Sequence, residues 1–133
     1  MVEKIVINSD IQNINTVEKL IDDISVKFDL HADVYGKLSL AVVEGVNNAI
    51  VHGNKLNHDL LVSVSYQLTE TKLIFSIEDS GSGFDFTTIP DPTLPENIEK
   101  SHGRGIFLMK HLSDELDFEN EGRLVKLTFN LHD

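Results

Sequence analysis

The chain has 133 residues, of which 41% are hydrophobic and 25% charged, the balance of an ordinary globular protein with one domain and its own core. Eleven basic residues stand against 22 acidic ones, so the formal net charge is −11, which argues against nucleic-acid binding as a main function. There is no cysteine, which excludes a disulfide framework, a thiolate metal site and a cysteine nucleophile.

The sequence offers no membrane signal. No apolar run approaches the roughly 20 residues that a membrane-spanning helix needs. The first ten residues, MVEKIVINSD, lack the basic segment and the long apolar core of a signal peptide. We therefore expect a cytoplasmic protein that does not act at a membrane.

The chain begins with a predicted strand and helix. Glu3–Asn8 alternates weakly between apolar and polar residues and ends in turn formers, which favours a short strand. Asn15, with Glu18 three residues later, fits a capping box, and apolar residues then recur at helical spacing to Phe28.

The second predicted helix is the one that organises the chain. We expect it to begin at Asp33, as its N-cap, and to end at the Gly53-Asn54 pair. It is apolar nearly all round, which is typical of a buried helix, yet Glu44 and Asn48 project from one face, one turn apart. A buried carboxylate needs a partner, and its pKa shift is also how a protein prepares a base. On this helix alone, a structural ion pair explains Glu44 equally well.

Two strands and a long loop follow. Leu60–Leu68 and Lys72–Glu78 have the composition and alternation of strands, and Thr69–Thr71 is short enough for a hairpin turn, so the two strands are predicted to pair antiparallel. The segment from Asp79 to His102 contains all three prolines and shows no periodicity. A loop of this length in a compact domain is usually functional or mobile.

The last elements complete the predicted fold. A helix is expected over Arg104–Leu112, followed by strands over Glu115–Asn120 and Leu124–Leu131 with a turn at Glu121-Gly122. This order predicts one α+β domain over residues 1–133, a two-layer sandwich with helices on one face of a mixed, mostly antiparallel sheet.

Two glycine motifs flank the loop. Asp79-Ser-Gly81-Ser-Gly83 comes where a strand ends, and Gly103-Arg104-Gly105 comes where a helix is expected to begin. Each motif alone is commonly only a turn. Glycines nevertheless let a backbone approach a ligand closely, and the free N–H groups at a helix N-terminus favour an anion such as phosphate. Neither motif is a Walker A loop or a Rossmann fingerprint.

Taken together, E-x-x-x-N on a buried helix, D-x-G-x-G after a strand and G-x-G before a helix resemble the nucleotide site of the GHKL, or Bergerat-fold, ATPases. The stretches LSLAVVEGVNNAIVHGN and HGRGIFLMKHLSDEL are similar to the first and third motifs of the bacterial anti-sigma factor serine-protein kinases. The resemblance spans Glu3 to Leu131 and implies the Bergerat fold.

The resemblance implies ATP and Mg²⁺ as ligands and gives each motif a role. Glu44 would be the catalytic general base, taking the proton of a serine or threonine hydroxyl on a partner protein. Asn48 would hold Mg²⁺ through its side-chain oxygen, and Asp79 would accept a hydrogen bond from the adenine amino group. The glycines beside the base would be Gly81 and Gly83, and the phosphates would lie on the amides of Gly103, Arg104 and Gly105. Residues of about 84–102 would form a lid.

The implied function is that of an ATP-binding anti-sigma factor and serine/threonine-protein kinase in a bacterial partner-switching system, and hence transcription regulation. Such a protein would sequester a sigma factor and phosphorylate a serine on an anti-anti-sigma protein of the STAS type. A dimer is common in that family, so a homodimer is allowed. The alternatives are a non-catalytic, ATP-gated protein-binding module and an acidic interaction protein with a vestigial pocket.

Several residues stay without a single role at this stage. Arg104 fits a solvated surface charge, a γ-phosphate contact or a partner contact, His52 fits a helix-end histidine better than a ligand, and Asn47 is not assigned. In many relatives a threonine of a late strand reaches the adenine through water, but here Gly122-Arg123-Leu124 stands at that point, and Thr128 lies further along. The six histidines show no paired metal spacing, so we predict no zinc site.

Overall fold

A computed structural model describes residues 2–81 and 101–131 of the chain. Gly83 and the predicted lid up to residue 100 lie outside these residues. The last two lid residues, Ser101 and His102, belong to a helix.

Five strands and three α-helices are present in the described residues. The strands are β1 (Val2–Asn8), β2 (Leu61–Leu68), β3 (Lys72–Glu78), β4 (Glu115–Glu119) and β5 (Leu124–Asn130). The helices are α1 (Ile14–Lys27), α2 (Ala32–Asn48) and α3 (Ser101–Leu112). The strand bounds lie within one residue of the predicted ones.

The strands form one sheet in the order β1-β2-β3-β5-β4, and each pair that the described residues form is antiparallel. The two-layer α+β prediction is confirmed, although no parallel pair is found in this part of the chain. β3 is the middle strand of the sheet, so the loop that follows it begins between the ends of the neighbouring strands. This placement brings Asp79 close to the C-terminal part of the central helix.

The core lies between one face of the sheet and the helices. Alternate residues of the strands are buried on that face, as the two-residue period of a strand requires. The strand residues in this layer include Val62, Val64, Tyr66, Leu73, Phe75, Ile77, Val125, Leu127 and Phe129. Among the described residues, no helix is long and apolar enough to cross a membrane.

Both predicted N-caps are wrong. Asp10 caps a 3₁₀ turn over Ile11–Asn13, accepting a backbone hydrogen bond at 3.0 Å, and α1 follows directly, so Asn15 lies inside the helix. His31 caps α2, because its Nδ1 accepts a hydrogen bond from the N–H of Asp33 at 3.2 Å. In both cases a side chain further upstream accepts a hydrogen bond from one of the free N–H groups at the start of the helical segment, which therefore begins earlier than the local motif indicates.

The C-terminal end of the central helical segment falls where the sequence predicts, but its geometry differs. α2 continues into a π-helical turn, Ala49–Gly53, which is closed by a 2.8 Å hydrogen bond from the N–H of Asn54. Gly53 is not in the left-handed region, and the first left-handed residue after this turn is Lys55, with φ of 53°. The glycine is therefore not a left-handed cap, and its role must come from its surroundings.

Two leucines of α2 provide a matched test of this packing. Leu38 is 0% exposed and Leu40 is 61% exposed, so the same substitution can be made on opposite faces of one helix. Leu38→Ala should lower the free energy of unfolding by about 2–5 kcal/mol through lost burial and a residual cavity. Leu40→Ala should change it by about 0.5 kcal/mol or less. Urea denaturation measures both, and equal losses would contradict the placement of α2.

Candidate active site

The close packing of α3 against α2 assembles the first part of the site. A Cβ on Gly45 of α2 would lie 3.2 Å from the Sδ of Met109. A Cβ on Gly105 of α3 would lie 3.0 Å from Asn48 Nδ2, 3.1 Å from Asn48 Oδ1 and 3.1 Å from Glu44 Oε2. Two glycines thus let the helices approach closely, and the backbone of α3 lies directly beside Glu44 and Asn48.

The amide group of Asn48 is unusual for a buried polar group. Its Nδ2 is buried and has no hydrogen-bond partner among the described residues. Most buried polar atoms are paired, and an unpaired one costs about 1–3 kcal/mol. An amide in this state fits a ligand with oxygen atoms better than it fits a purely structural role.

A cavity of about 270 Å³ opens next to Asn48. Its size is near the lower end of the roughly 300–1,000 Å³ of small-molecule sites. Its lining comes from α2, the π turn, α3 and three strands, with apolar walls that include Ile77, Ile106, Met109, Phe118 and Val125. Asn48 and Asp79 both line this cavity, so an amide and a carboxylate face one largely apolar space.

Asp79 follows the end of β3 and is held by backbone contacts. Its Oδ1 accepts a hydrogen bond from the N–H of Gly81 at 2.8 Å, and its own N–H donates to the carbonyl of Arg123 at 2.9 Å. Burial raises the pKa of the Asp79 carboxyl, while the Gly81 N–H and the Arg123 charge act in the opposite direction.

Gly53 and Gly81 are required beside Asp79 for reasons of space. A Cβ on Gly53 would collide with the Asp79 carboxylate, and a Cβ on Gly81 would collide with the carbonyl of Gly53. Neither glycine has a positive φ. The π turn of the central helical segment therefore packs directly against the Asp79 motif.

Arg123 lines the cavity, at the point of the chain where the resemblance led us to expect a threonine. It follows Gly122, which has φ of 88°, and its Nη1 lies 3.5 Å from the carbonyl oxygen of Gly81. Thr128 does not line the cavity. It lies three residues after Val125 and therefore on the opposite face of β5, where it borders Ile74.

α3 begins at Ser101, three residues before the predicted start. Gly103 and Arg104 fall among its first four residues, whose N–H groups have no partner within the helix. Gly105 lies one position further and provides the close contact with α2. The predicted phosphate role of these amides stays a prediction.

Comparison with known proteins identifies the family. The sequence profile described as "Histidine kinase-like ATPase domain" matches residues 7–129. The chain belongs to the histidine kinase-like ATPase domain family. This confirms the GHKL relationship predicted from the three motifs.

This ATPase domain is also similar to curated proteins. A serine-protein kinase RsbW from Staphylococcus aureus strain JH9 is 31% identical over 97 residues, which cover 67% of this chain and 61% of that protein. The RsbW protein of strain Newman gives the same values. The matched region thus spans 61% of the length of these relatives, so only part of each is compared.

A solved structure shows the same fold. The crystal structure of the RsbU and RsbW domains of Rv1364c from Mycobacterium tuberculosis has a TM-score of 0.64 and 15% sequence identity with this domain. The match covers 98% of this chain and 32% of that chain. At this identity the likeness supports the fold and not the chemistry.

Most of the predicted site residues in the described part of this ATPase domain lie close together. Asn48 and Asp79 share the cavity, Glu44 lies beside Asn48 at the contact with Gly105, and Gly81 holds Asp79. His52 also lines the cavity, and burial lowers its pKa, whereas Asn47 is not among the lining residues.

Sequence reasoning missed Asn54 and the π turn. The Asn54 side chain is buried and hydrogen-bonded to three other segments, although the sequence indicates only a helix end. The π turn sets which residues after Asn48 face the cavity. No local signal separates either feature from an ordinary helix terminus, because both depend on contacts with distant strands.

The raised pKa of Asp79 predicts a pH-dependent effect on stability. Because the folded-state pKa lies above the unfolded one, the ionised carboxylate destabilises the fold progressively as the pH rises through the raised pKa. Asp79→Asn should therefore increase the free energy of unfolding at neutral pH, while an amide oxygen can still accept the Gly81 N–H.

The gain should shrink toward acid pH, and urea denaturation at several values from about pH 3 to about pH 7 would measure it. Asp23→Asn, on the exposed side of α1, gives the effect of the same substitution at the surface. A gain at Asp79 that did not change with pH would contradict the proposed cause.

Proposed function

We propose that this domain binds ATP with Mg²⁺ in the cavity between α2, α3 and the end of β3, and that it acts as a serine/threonine-protein kinase of the GHKL type. The observation that carries the proposal is the shared cavity of Asn48 and Asp79, with Glu44 next to Asn48 at the α2–α3 contact. Three sequence elements that are far apart in the chain meet there.

Asp79 is the group proposed to recognise the base. A carboxylate oxygen accepts the hydrogen bond of the adenine amino group, whereas guanine presents an oxygen at the equivalent position and would be repelled. The apolar walls, among them Ile77 and Met109, suit a flat aromatic ring. The N–H of Gly81 fixes one oxygen of Asp79, which orients the carboxylate.

Asn48 is proposed to hold Mg²⁺ through its side-chain oxygen, a hard ligand suited to this ion. Mg²⁺ would neutralise charge on the transferred phosphate. Asn48 Nδ2, which has no hydrogen-bond partner in the described part of the chain, would donate to a phosphate oxygen. Phosphate would also contact amides of Gly103, Arg104 and Gly105, and the lid of about 84–102 would contribute to the same site.

Glu44 is proposed as the general base. It would accept the proton of a serine or threonine hydroxyl while the hydroxyl oxygen bonds to the γ-phosphorus and the bond to ADP breaks. Its half-buried position beside α3 keeps the carboxylate at the same helix contact as Asn48. A purely binding protein needs no base at this position.

The partners are proposed from similarity to the serine-protein kinases named RsbW. We infer a cytoplasmic anti-sigma factor that sequesters a sigma factor and phosphorylates a serine of a STAS-type anti-anti-sigma protein, and so regulates transcription. The net charge of −11 suits a protein partner better than nucleic acid. A homodimer is compatible with this role.

Calorimetric titration with ATP tests the nucleotide site. Asn48→Ala should remove most of the Mg²⁺ dependence of ATP affinity, because the ion loses its protein ligand. Asn47→Ala is the matched control on the same helix and should retain that dependence. Lack of ATP affinity in both the wild type and Asp79→Asn would leave only the acidic interaction protein with a vestigial pocket.

Phosphoryl transfer is tested with labelled ATP, Mg²⁺ and a STAS-type anti-anti-sigma protein as the substrate. Glu44→Ala should lower the rate of phosphoryl transfer by about 10²-fold or more, while ATP binding persists. Glu70→Ala, in the exposed β2–β3 turn, is the control for replacing a glutamate by alanine, and this variant should transfer phosphate at the wild-type rate. Absence of transfer in the wild type, with ATP binding intact, would support the non-catalytic ATP-gated module.

A further inference from the structure

The buried side chain of Asn54 connects the Asp79 motif to the rest of the fold. It is 1% exposed and lies at the end of the π turn. Its Nδ2 donates to Ser9 Oγ at 2.7 Å and to the carbonyl of Leu61 at 3.1 Å. Its Oδ1 accepts the N–H of Ser80 at 2.8 Å. Both amide hydrogens and the amide oxygen are therefore used.

The orientation of this amide is determined by its backbone partners. The carbonyl of Leu61 can only accept a hydrogen bond, and the N–H of Ser80 can only donate one. If the amide of Asn54 were reversed, its oxygen would face the carbonyl oxygen of Leu61 and its NH₂ group would face the N–H of Ser80. The hydrogen bond between Asn54 and Ser80 is thus fixed by the geometry of the surrounding backbone.

Ser80 is the residue between Asp79 and Gly81, and it carries the link to the cavity. The N–H of Gly81 holds Asp79 Oδ1 at 2.8 Å, so the direction of the carboxylate depends on the backbone of residues 79–81. Ser80 Oγ also donates to the carbonyl of Leu61, at 3.3 Å. Asn54 therefore connects residues 79–81, which orient the Asp79 carboxylate, with the beginning of β2.

We propose that Asn54 is a positioning residue for base recognition: by holding the N–H of Ser80, it fixes the Asp79 carboxylate relative to the cavity. Asn54 itself does not line the cavity. The inference rests on the proposed ATP site, since it concerns how selectively that site distinguishes adenine from guanine. A small displacement of Asp79 would weaken its hydrogen bond with the adenine amino group, which guanine replaces with an oxygen.

The ratio of ATP affinity to GTP affinity measures this role. A variant that merely unfolds part of the protein lowers both apparent affinities equally, so its ratio does not change. Asn54→Ala removes the acceptor of Ser80 and should reduce the ATP:GTP ratio by about tenfold or more. Asp79→Asn, which changes the recognising group itself, should reduce the ratio at least as far.

Two further variants separate the bond to Ser80 from the other bonds. Ser9→Ala removes a partner of Asn54 but leaves the bond to Ser80, so it should retain the wild-type ratio. Asn54→Ser also removes the acceptor of the Ser80 N–H, because its side chain is shorter, but it keeps a polar group at the site, so it should lower the ratio as Asn54→Ala does. If Asn54→Ala gives no folded protein, Asn54→Ser decides, because an unchanged ratio there contradicts the inference.

The outcomes distinguish this inference from the proposed function. No ATP binding by the wild type would overturn both. ATP selectivity that is lost in Asp79→Asn but kept in Asn54→Ala would overturn only the role of Asn54. An equal loss in Ser9→Ala and Asn54→Ala would also overturn it, since the effect would then come from the whole buried network.

Discussion

The close approach of α3 to α2 is the constraint on which the rest of the site depends. Gly45 and Gly105 have no side chain at the contact, and a Cβ on Gly105 would lie within 3.1 Å of polar atoms of Glu44 and Asn48. The resulting contact places a carboxylate and an amide next to the N-terminal part of another helix. Without it, these two side chains would only be polar groups on a largely apolar helix.

A second close contact, between the π turn and the Asp79 motif, follows the same principle. Glycines in turns are usually explained by the freedom of their backbone. Gly53 and Gly81 have no positive φ, and the absence of a side chain here lets two backbone segments and a carboxylate come close together. The β4–β5 turn shows the other use of glycine, since Gly122 has a φ of 88°. Residues of both close contacts line the cavity.

Asn48 and Asn54 show how differently one residue type can be used. Asn54 is fully satisfied within the protein and stabilises a junction of four segments. Asn48 leaves a buried Nδ2 without a partner among the described residues, a destabilising state that is typical of binding sites. Asp79 combines both situations, because it is hydrogen-bonded by Gly81 yet has a pKa raised by burial.

The sequence by itself determined the strands, the central helix and the family, because apolar periodicity and the E-x-x-x-N, D-x-G-x-G and G-x-G motifs are local patterns. It also identified Glu44, Asn48 and Asp79 as residues to examine together. Only the tertiary structure decided the caps at Asp10 and His31, the π turn and the buried network of Asn54. It also decided that Arg123 borders the cavity and Thr128 does not. These features depend on which distant groups are within hydrogen-bonding distance and on which face of a strand points inward, and neither is encoded in a short stretch of sequence.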